Sequence, residues 1–229
     1  KYAQIQRRIA SSLIEKIPRD FKALRILEIG AGTGFISQEL KQRYPNARIL
    51  VCDPAPEMIK VASEKLGPEF DFQICELPKT NHKFDLIISS MAIQWVKDWD
   101  LWMKDIANLA NHKAIILVAT PTAGTLDFLP KAFKKAHIEY KGLLYRNAGD
   151  LQKSTEQSFS LVNHSTQEFC ENFNSSIEFF KKIHRIGANV EENVNPGQLR
   201  KLIKECEKLK THNILSARYQ VTFLQAQKL

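Results

Sequence analysis

An α/β fold on a mainly parallel sheet is the architecture the sequence predicts. Between residues 25 and 120, short apolar runs rich in β-branched residues take turns with amphipathic stretches, and the first run ends in three alternate glycines. The runs at 25–29, 48–52, 71–75, 84–89 and 113–120 read as strands. Helical patterns lie between them at 35–43, 56–66 and 99–109, with Pro56 suited to the first turn of its helix.

Ahead of the first strand, Ile5, Ile9, Leu13 and Ile17 form a helical stripe closed by Pro18, which reads as a lead-in helix. Beyond Thr120 the rhythm changes. Pro121, Gly124 and Pro130 punctuate a helix near 131–137, followed by a glycine-containing turn and a short segment from Gly149. A strand near 159–162, helices near 175–186 and 197–208 and an alternating strand at 218–225 complete the chain. With 229 residues, 1–229 reads as one domain, 1–20 as a lead-in helix or lid and 121–156 as a helical insertion covering the acceptor side.

Bulk properties narrow the function classes. No apolar run approaches the roughly 20 residues needed to cross a bilayer, and residues 1–5 lack the apolar core of a secretion signal, so a cytoplasmic protein without membrane contact is expected. The chain starts at Lys1 rather than a methionine, so a few upstream residues are expected. Cys52, Cys75, Cys170 and Cys206 have no zinc or redox spacing and read as buried free thiols, with no metal. The net charge of +8 invites an acidic partner.

The chemistry concentrates in Ile26-Leu27-Glu28-Ile29-Gly30-Ala31-Gly32-Thr33-Gly34. Glycines at the carboxyl edge of a sheet permit a tight turn and let a ligand lie on the backbone, here along Gly30, Ala31, Gly32 and Gly34. A dinucleotide site would set its third glycine one residue later, to hold a pyrophosphate at the helix start. Glu28 would repel a phosphate but suits the ammonium of a methionine moiety, so a sulfonium cofactor, S-adenosylmethionine, fits better than NAD. Asp53 ends the second strand, where a carboxylate can accept both hydroxyls of a ribose, with Pro54 and Met58 beside it. Glu76 and Leu77 after the third strand would hold an adenine, and Ser89 lies at the same edge.

Ser89-Ser90-Met91-Ala92 lacks the polar residue, two prolines and aromatic that amine methylation of bases requires, and no basic-aromatic surface stands out, so nucleic acid is not expected as partner. Tyr2-Ala3-Gln4-Ile5-Gln6-Arg7-Arg8-Ile9-Ala10, Ser89-Ser90-Met91-Ala92-Ile93-Gln94-Trp95 and Phe180-Lys181-Lys182-Ile183-His184-Arg185-Ile186-Gly187-Ala188-Asn189 resemble the malonyl-acyl carrier protein O-methyltransferases of biotin synthesis, nearly end to end. The family often has Asn where Ser90 stands, and its longer acidic loop after strand three is shortened here to Cys75-Glu76-Leu77-Pro78.

The resemblance implies a Rossmann-like class I methyltransferase fold with seven strands, the last antiparallel. It also implies methylation of the free carboxylate of a malonyl thioester on acyl carrier protein, with S-adenosylhomocysteine as product. A carboxylate is ionised at neutral pH and needs no general base. Candidate acceptor-positioning residues are Tyr2, Gln6, Trp95, Arg146 and Arg185, with His184 weaker. Trp95 and its neighbours Trp99 and Trp102 also suit a helix core. Lys131, Lys134 and Lys135 share one helical face, as do Lys181, Lys182 and Arg185, and either face suits an acidic carrier docking on a monomer. Other readings are the same fold acting on another small carboxylate or a quinone-like acceptor, and a non-catalytic scaffold that keeps the cofactor fold.

Overall fold

A computed structural model of the chain describes residues 4–185 and 194–228. Its strands are β1 (Arg25–Ile29), β2 (Arg48–Asp53), β3 (Asp71–Ile74), β4 (Phe84–Ser90), β5 (Ala110–Pro121), β6 (Ser160–Phe173) and β7 (Leu215–Gln227), joined in one sheet in the order β3-β2-β1-β4-β5-β7-β6. The first five are parallel, and β7 runs antiparallel to both β5 and β6. This is the expected arrangement, a parallel sheet whose last strand is reversed.

The helices are α1 (Gln4–Ile14), α2 (Phe35–Arg43), α3 (Pro56–Leu66), α4 (Trp99–Leu109), α5 (Phe128–Lys135), α6 (Ala148–Glu156), α7 (Ser176–Arg185) and α8 (Pro196–Glu207), with one 3-10 turn at Ile93–Trp95. Because strand side chains alternate, the sheet divides its apolar residues between two layers. Ile26, Ile49, Leu86, Ile88 and Leu117 pack with α1, α2, α3, α5, α7 and α8. On the opposite face, Leu27, Ile87, Ile116 and Val118 pack with α4 and α6. Of segment 121–156, α5 therefore joins the α1 layer, packing on α8, and α6 joins the α4 layer.

The lead-in helix buries its stripe: Ile5, Ile9, Leu13 and Ile17 are at most 2% exposed. The chain just past its far end is tied to α2, since the Arg43 guanidinium donates to the carbonyls of Ile17 at 3.1 Å and Pro18 at 2.8 Å. α2 starts at the glycine loop and runs toward the amino edge of the sheet, so this tie places the start of α1 back at the carboxyl edge. Arg7 stacked over Phe35, at 5.5 Å from the ring centre, agrees with that direction.

Three elements differ from the sequence reading. The last two strands run longer than 159–162 and 218–225: β6 is an edge strand with a polar outer face and carries little alternation, and β7 is paired with it from Leu215 to Gln227. The helix expected at 131–137 starts at Phe128 instead. Pro130 sits in its first turn, where no amide donor is needed, and His137, with φ of +56°, lies beyond its end. Of the four cysteines expected buried, Cys52 and Cys206 are, whereas Cys75 is half-buried and Cys170 lies exposed on β6.

Replacing Arg43 with Ala should cost about 1–2 kcal/mol and lower the melting temperature by about 3–6 °C, measured by calorimetry. A melting temperature unchanged within a degree would mean that this tie contributes nothing.

Candidate active site

The glycine loop is shaped by backbone conformations that other residues rarely adopt. Gly30, Gly32 and Gly34 have φ of +68°, +54° and +73°. Their reasons for lacking a side chain differ. A Cβ on Gly30 would lie 2.1 Å from the Cβ of Ala92, and one on Gly34 would lie 2.6 Å from Cδ1 of Leu66, so these two let α3 and the chain after β4 approach. A Cβ on Gly32 would meet nothing within 4 Å. That position opens outward and leaves bare backbone facing the space above the sheet.

Asp53 holds the loop in place. Its Oδ2 accepts the Gly32 N–H at 2.8 Å and its Oδ1 accepts the Ala55 N–H at 2.9 Å, while the Ala31 N–H reaches the Cys52 carbonyl at 3.0 Å. Each carboxylate oxygen keeps a lone pair beyond these bonds. The carboxylate is thus oriented before any ligand arrives.

Glu28 lies deeper, at 2% exposure, and its carboxylate accepts a hydrogen bond from the Ser37 hydroxyl. Burial pushes its pKa up from 4.5 to about 7, against the opposing pull of the Ser37 hydrogen bonds; the nearby Asp53 charge adds to the rise and Lys65 reduces it. Sequence reasoning missed Ser37. Its signal was available, because a serine stands beside Ile36 on the stripe of α2 that packs inward, and a buried hydroxyl there needs a partner.

The remaining cofactor candidates border the same edge with different roles. Met58 is half-buried in α3 and Leu77 half-buried after β3, while Pro54 and Glu76 are exposed. The Ser89 hydroxyl is spent on the Ile29 carbonyl at 2.9 Å, so it braces the root of the loop. Next to it, Ser90 Oγ is buried with no hydrogen-bond partner among the described residues, as are Gln94 Oε1 and Gln6 Oε1. Gln94 donates its amide to the carbonyl of Met91, a residue with φ of +54°. Such orphaned buried atoms are rare enough to need an explanation, and here they belong to β4, the turn after it and α1, which contacts β4 and β5. Gln94 was quoted in the motif but not singled out as a site residue.

Among the acceptor candidates, Trp95 is 56% exposed, whereas Trp99 and Trp102 stack at 5.2 Å in the core of α4. The Arg146 guanidinium donates to the carbonyls of Val96 and Lys97, which fastens the chain before α6 to the end of the 3-10 turn. Arg185 and His184 are exposed at the end of α7. Tyr2 and the segment 186–189 lie outside the described residues. On the α7 face, Lys182 is paired with Glu171 and only 16% exposed, so it is part of a packed pair. Lys131, Lys134 and Lys135 are exposed, with Lys131 paired to Asp127 at 2.5 Å.

Residues 2–162 match the family described as a methyltransferase domain. The chain belongs to that family. This S-adenosylmethionine-dependent methyltransferase is 30% identical to malonyl-[acyl-carrier protein] O-methyltransferase 1 of Ilyobacter polytropus, over 82% of this chain and 72% of the relative. It is 27% identical to the malonyl-[acyl-carrier protein] O-methyltransferase of Acetivibrio thermocellus, over 99% of this chain and 88% of that one. Among solved structures, the YcgJ protein from Bacillus subtilis superposes with a TM-score of 0.69 at 16% identity, covering 97% of this methyltransferase and 98% of that chain. A methyltransferase-like protein from Bacillus halodurans gives the same TM-score at 15% identity, covering 96% and 98%. At these identities the two structures speak for the fold.

Two measurements test this site. Gly30→Ala should destabilise the enzyme by about 2–4 kcal/mol, because both its φ and its contact with Ala92 resist a side chain, whereas Gly32→Ala should cost only about 1 kcal/mol. Gly32→Ala should nevertheless lose most affinity for S-adenosylmethionine in calorimetry, and retained affinity would show that the open face is not used.

Glu28 has its pKa raised on folding, so its contribution to stability is complete below about pH 4.5 and lost as pH rises through about 7. Glu28→Gln should therefore be more stable than the ligand-free wild type above pH 7, by up to about 3 kcal/mol, with the gap closing toward pH 5 in denaturant titrations. A gap that does not change with pH contradicts the assignment.

Proposed function

We propose that this methyltransferase transfers the methyl group of S-adenosylmethionine to the free carboxylate of a malonyl group carried on an acyl carrier protein. The products would be a malonyl methyl ester and S-adenosylhomocysteine, an early step of biotin synthesis. The observation that carries the reading is the open backbone at Gly32 between two oriented acids, Glu28 and Asp53. The relatives named for malonyl-acyl carrier protein methylation supply the acceptor class.

S-adenosylmethionine supplies a methyl group on a positively charged sulfur, which a carboxylate attacks directly. In this reading Gly30, Ala31, Gly32 and Gly34 would receive its methionine part along bare backbone, with Glu28 near the ammonium. Asp53 would accept the ribose hydroxyls on its remaining lone pairs. Met58 and Leu77 would flank the adenine, with Pro54 and Glu76 at the rim. Glu28, raised to about 7 when alone, would ionise fully beside a cation.

The acceptor needs alignment and dehydration rather than proton removal. Ser90 Oγ is a hydroxyl donor without a partner among the described residues, and the Gln6 and Gln94 amides each retain bonding capacity, so these three would orient the malonyl carboxylate. Trp95 would cover the site from solvent. Arg146 would act by holding the 3-10 turn that carries Gln94 and Trp95, through its bonds to Val96 and Lys97. Tyr2 and Arg185 complete the proposed acceptor set.

For the carrier, the α5 face is favoured over the α7 face, because Lys134 and Lys135 stand exposed while Lys182 is held by Glu171. Mass spectrometry of malonyl-acyl carrier protein incubated with enzyme and S-adenosylmethionine should show one added methyl; methylation of a different acid alone would overturn the acceptor assignment. Reversing Lys131, Lys134 and Lys135 to Glu should lower turnover of carrier-bound substrate by about tenfold while cofactor affinity stays constant. Unchanged turnover removes this face.

A further inference from the structure

The β6–β7 pair rises beyond the rest of the sheet. β5 pairs with β7 only as far as Pro121 opposite Val221, whereas β6 and β7 continue together to Phe173 opposite Leu215. Because β7 is antiparallel, this projecting arm stands on the carboxyl edge, the edge of the glycine loop. At its tip, the arm, the start of α5 and the chain after α8 enclose an open cavity of about 390 Å³.

Its lining combines cationic and hydroxyl groups with an apolar wall. Arg218, His212, Thr211 and Ser216 line it together with Phe128 and Ile214. Asp127, the one acid in the lining, is engaged by Lys131 at 2.5 Å. Arg218 makes no ion pair among the described residues. A guanidinium with neighbouring hydroxyls is suited to a phosphate oxygen fork, and the apolar wall to a hydrocarbon chain attached to it.

Distance decides what such a ligand would be. Through Ser89 and Val118, Ile29 at the end of β1 stands level with Leu224, so Arg218 lies six residues, about 20 Å, beyond the end of β1, and β7 is three strands, about 14 Å, to the side. The cavity is therefore about 24 Å from the end of β1, where the glycine loop starts. From phosphorus to the malonyl carboxyl carbon, a malonyl-phosphopantetheine chain has about sixteen bonds, the length of roughly five peptide residues or about 18 Å extended. A phosphate in the cavity would let the malonyl group reach to within about 6 Å of the end of β1, over the carboxyl edge where the methyl donor would lie.

The surroundings fit the protein that carries this arm. α5 packs on α8, and Lys134 and Lys135 on α5 and Lys201 and Lys204 on α8 are exposed, as is Lys208 just past α8. Glu205 on α8 pairs with Lys208 and also feels the charges of Lys135 and Lys204. We propose that the cavity receives the phosphodiester of a 4′-phosphopantetheine arm, contacted by Arg218 and His212, while the α5–α8 lysines meet the acidic carrier protein bearing it. The inference rests on the proposed acceptor class.

The test starts with binding alone. Nuclear magnetic resonance titration should show 4′-phosphopantetheine shifting the amides of residues 211–218 and binding about tenfold more tightly than pantetheine, with Arg218→Ala removing the difference. Equal binding of the two compounds overturns the site. Kinetically, Arg218→Ala should raise KM for malonyl-acyl carrier protein about tenfold with kcat unchanged, and leave the phosphate-free malonyl-N-acetylcysteamine thioester unaffected. Equal losses on both thioesters contradict a phosphate contact. Coenzyme A carries the same arm, so reversing Lys135, Lys201 and Lys204 to Glu should impair the carrier thioester and spare malonyl-coenzyme A; equal impairment removes the carrier from the assignment. Should phosphopantetheine bind here while no malonyl thioester is methylated, the cavity assignment stands and the acceptor reading falls.

Discussion

The bond from the Gly32 amide to the Asp53 carboxylate ties the first strand's loop to the second strand, and the geometry of the carboxyl edge follows from it. Without that acceptor, a loop of three left-handed residues would have little to choose one arrangement over another. With it, the backbone at Gly32 faces outward and Asp53 is oriented in advance. Glu28 is anchored from the other side by Ser37 on the helix that the loop begins. Two acids are thus held on either side of an open stretch of backbone, an arrangement that disfavours a diphosphate and favours a cation.

The rest of the fold supports this edge from two layers. The Arg43 tie sets the direction of α1, which returns Gln6 to the carboxyl edge, and Ser89 fastens β4 to the last residue of β1. Beyond the parallel strands, the β6–β7 arm carries the elements that differ most from a plain parallel sheet: α5 on one side of it in sequence, α7 and α8 inserted within it. In the proposed reading, cofactor and acceptor functions would be built from different parts of the chain, the first within the five parallel strands and the second extending to the reversed strand and its inserted helices.

Legibility in the sequence followed the strength of local patterns. Helices α2, α3 and α4 begin and end where their periodicity, Pro56 and the flanking strands indicated, because central parallel strands are apolar on both faces and stand out. Glu28, the glycines and Asp53 were readable because their spacing is local. The length of β6 was not, since its residues after Val162 are mostly polar and their pairing with β7 is a long-range event. Ser37, the Lys182–Glu171 pair and the bond from Ser89 to Ile29 depend on partners brought close only by folding. The cavity at Arg218 assembles from three separate segments and leaves no local signature.

Glu28 gives the account its most direct test, because its cost when buried alone is relieved by the charge it is proposed to meet. Calorimetry of S-adenosylmethionine binding near pH 6.5, repeated in buffers of different ionisation enthalpy, counts the protons exchanged on binding. The account predicts that the wild type releases most of one proton more than Glu28→Gln does. The same proton count in both proteins would show that no cation settles beside Glu28, and would contradict the proposed mode of holding the methyl donor.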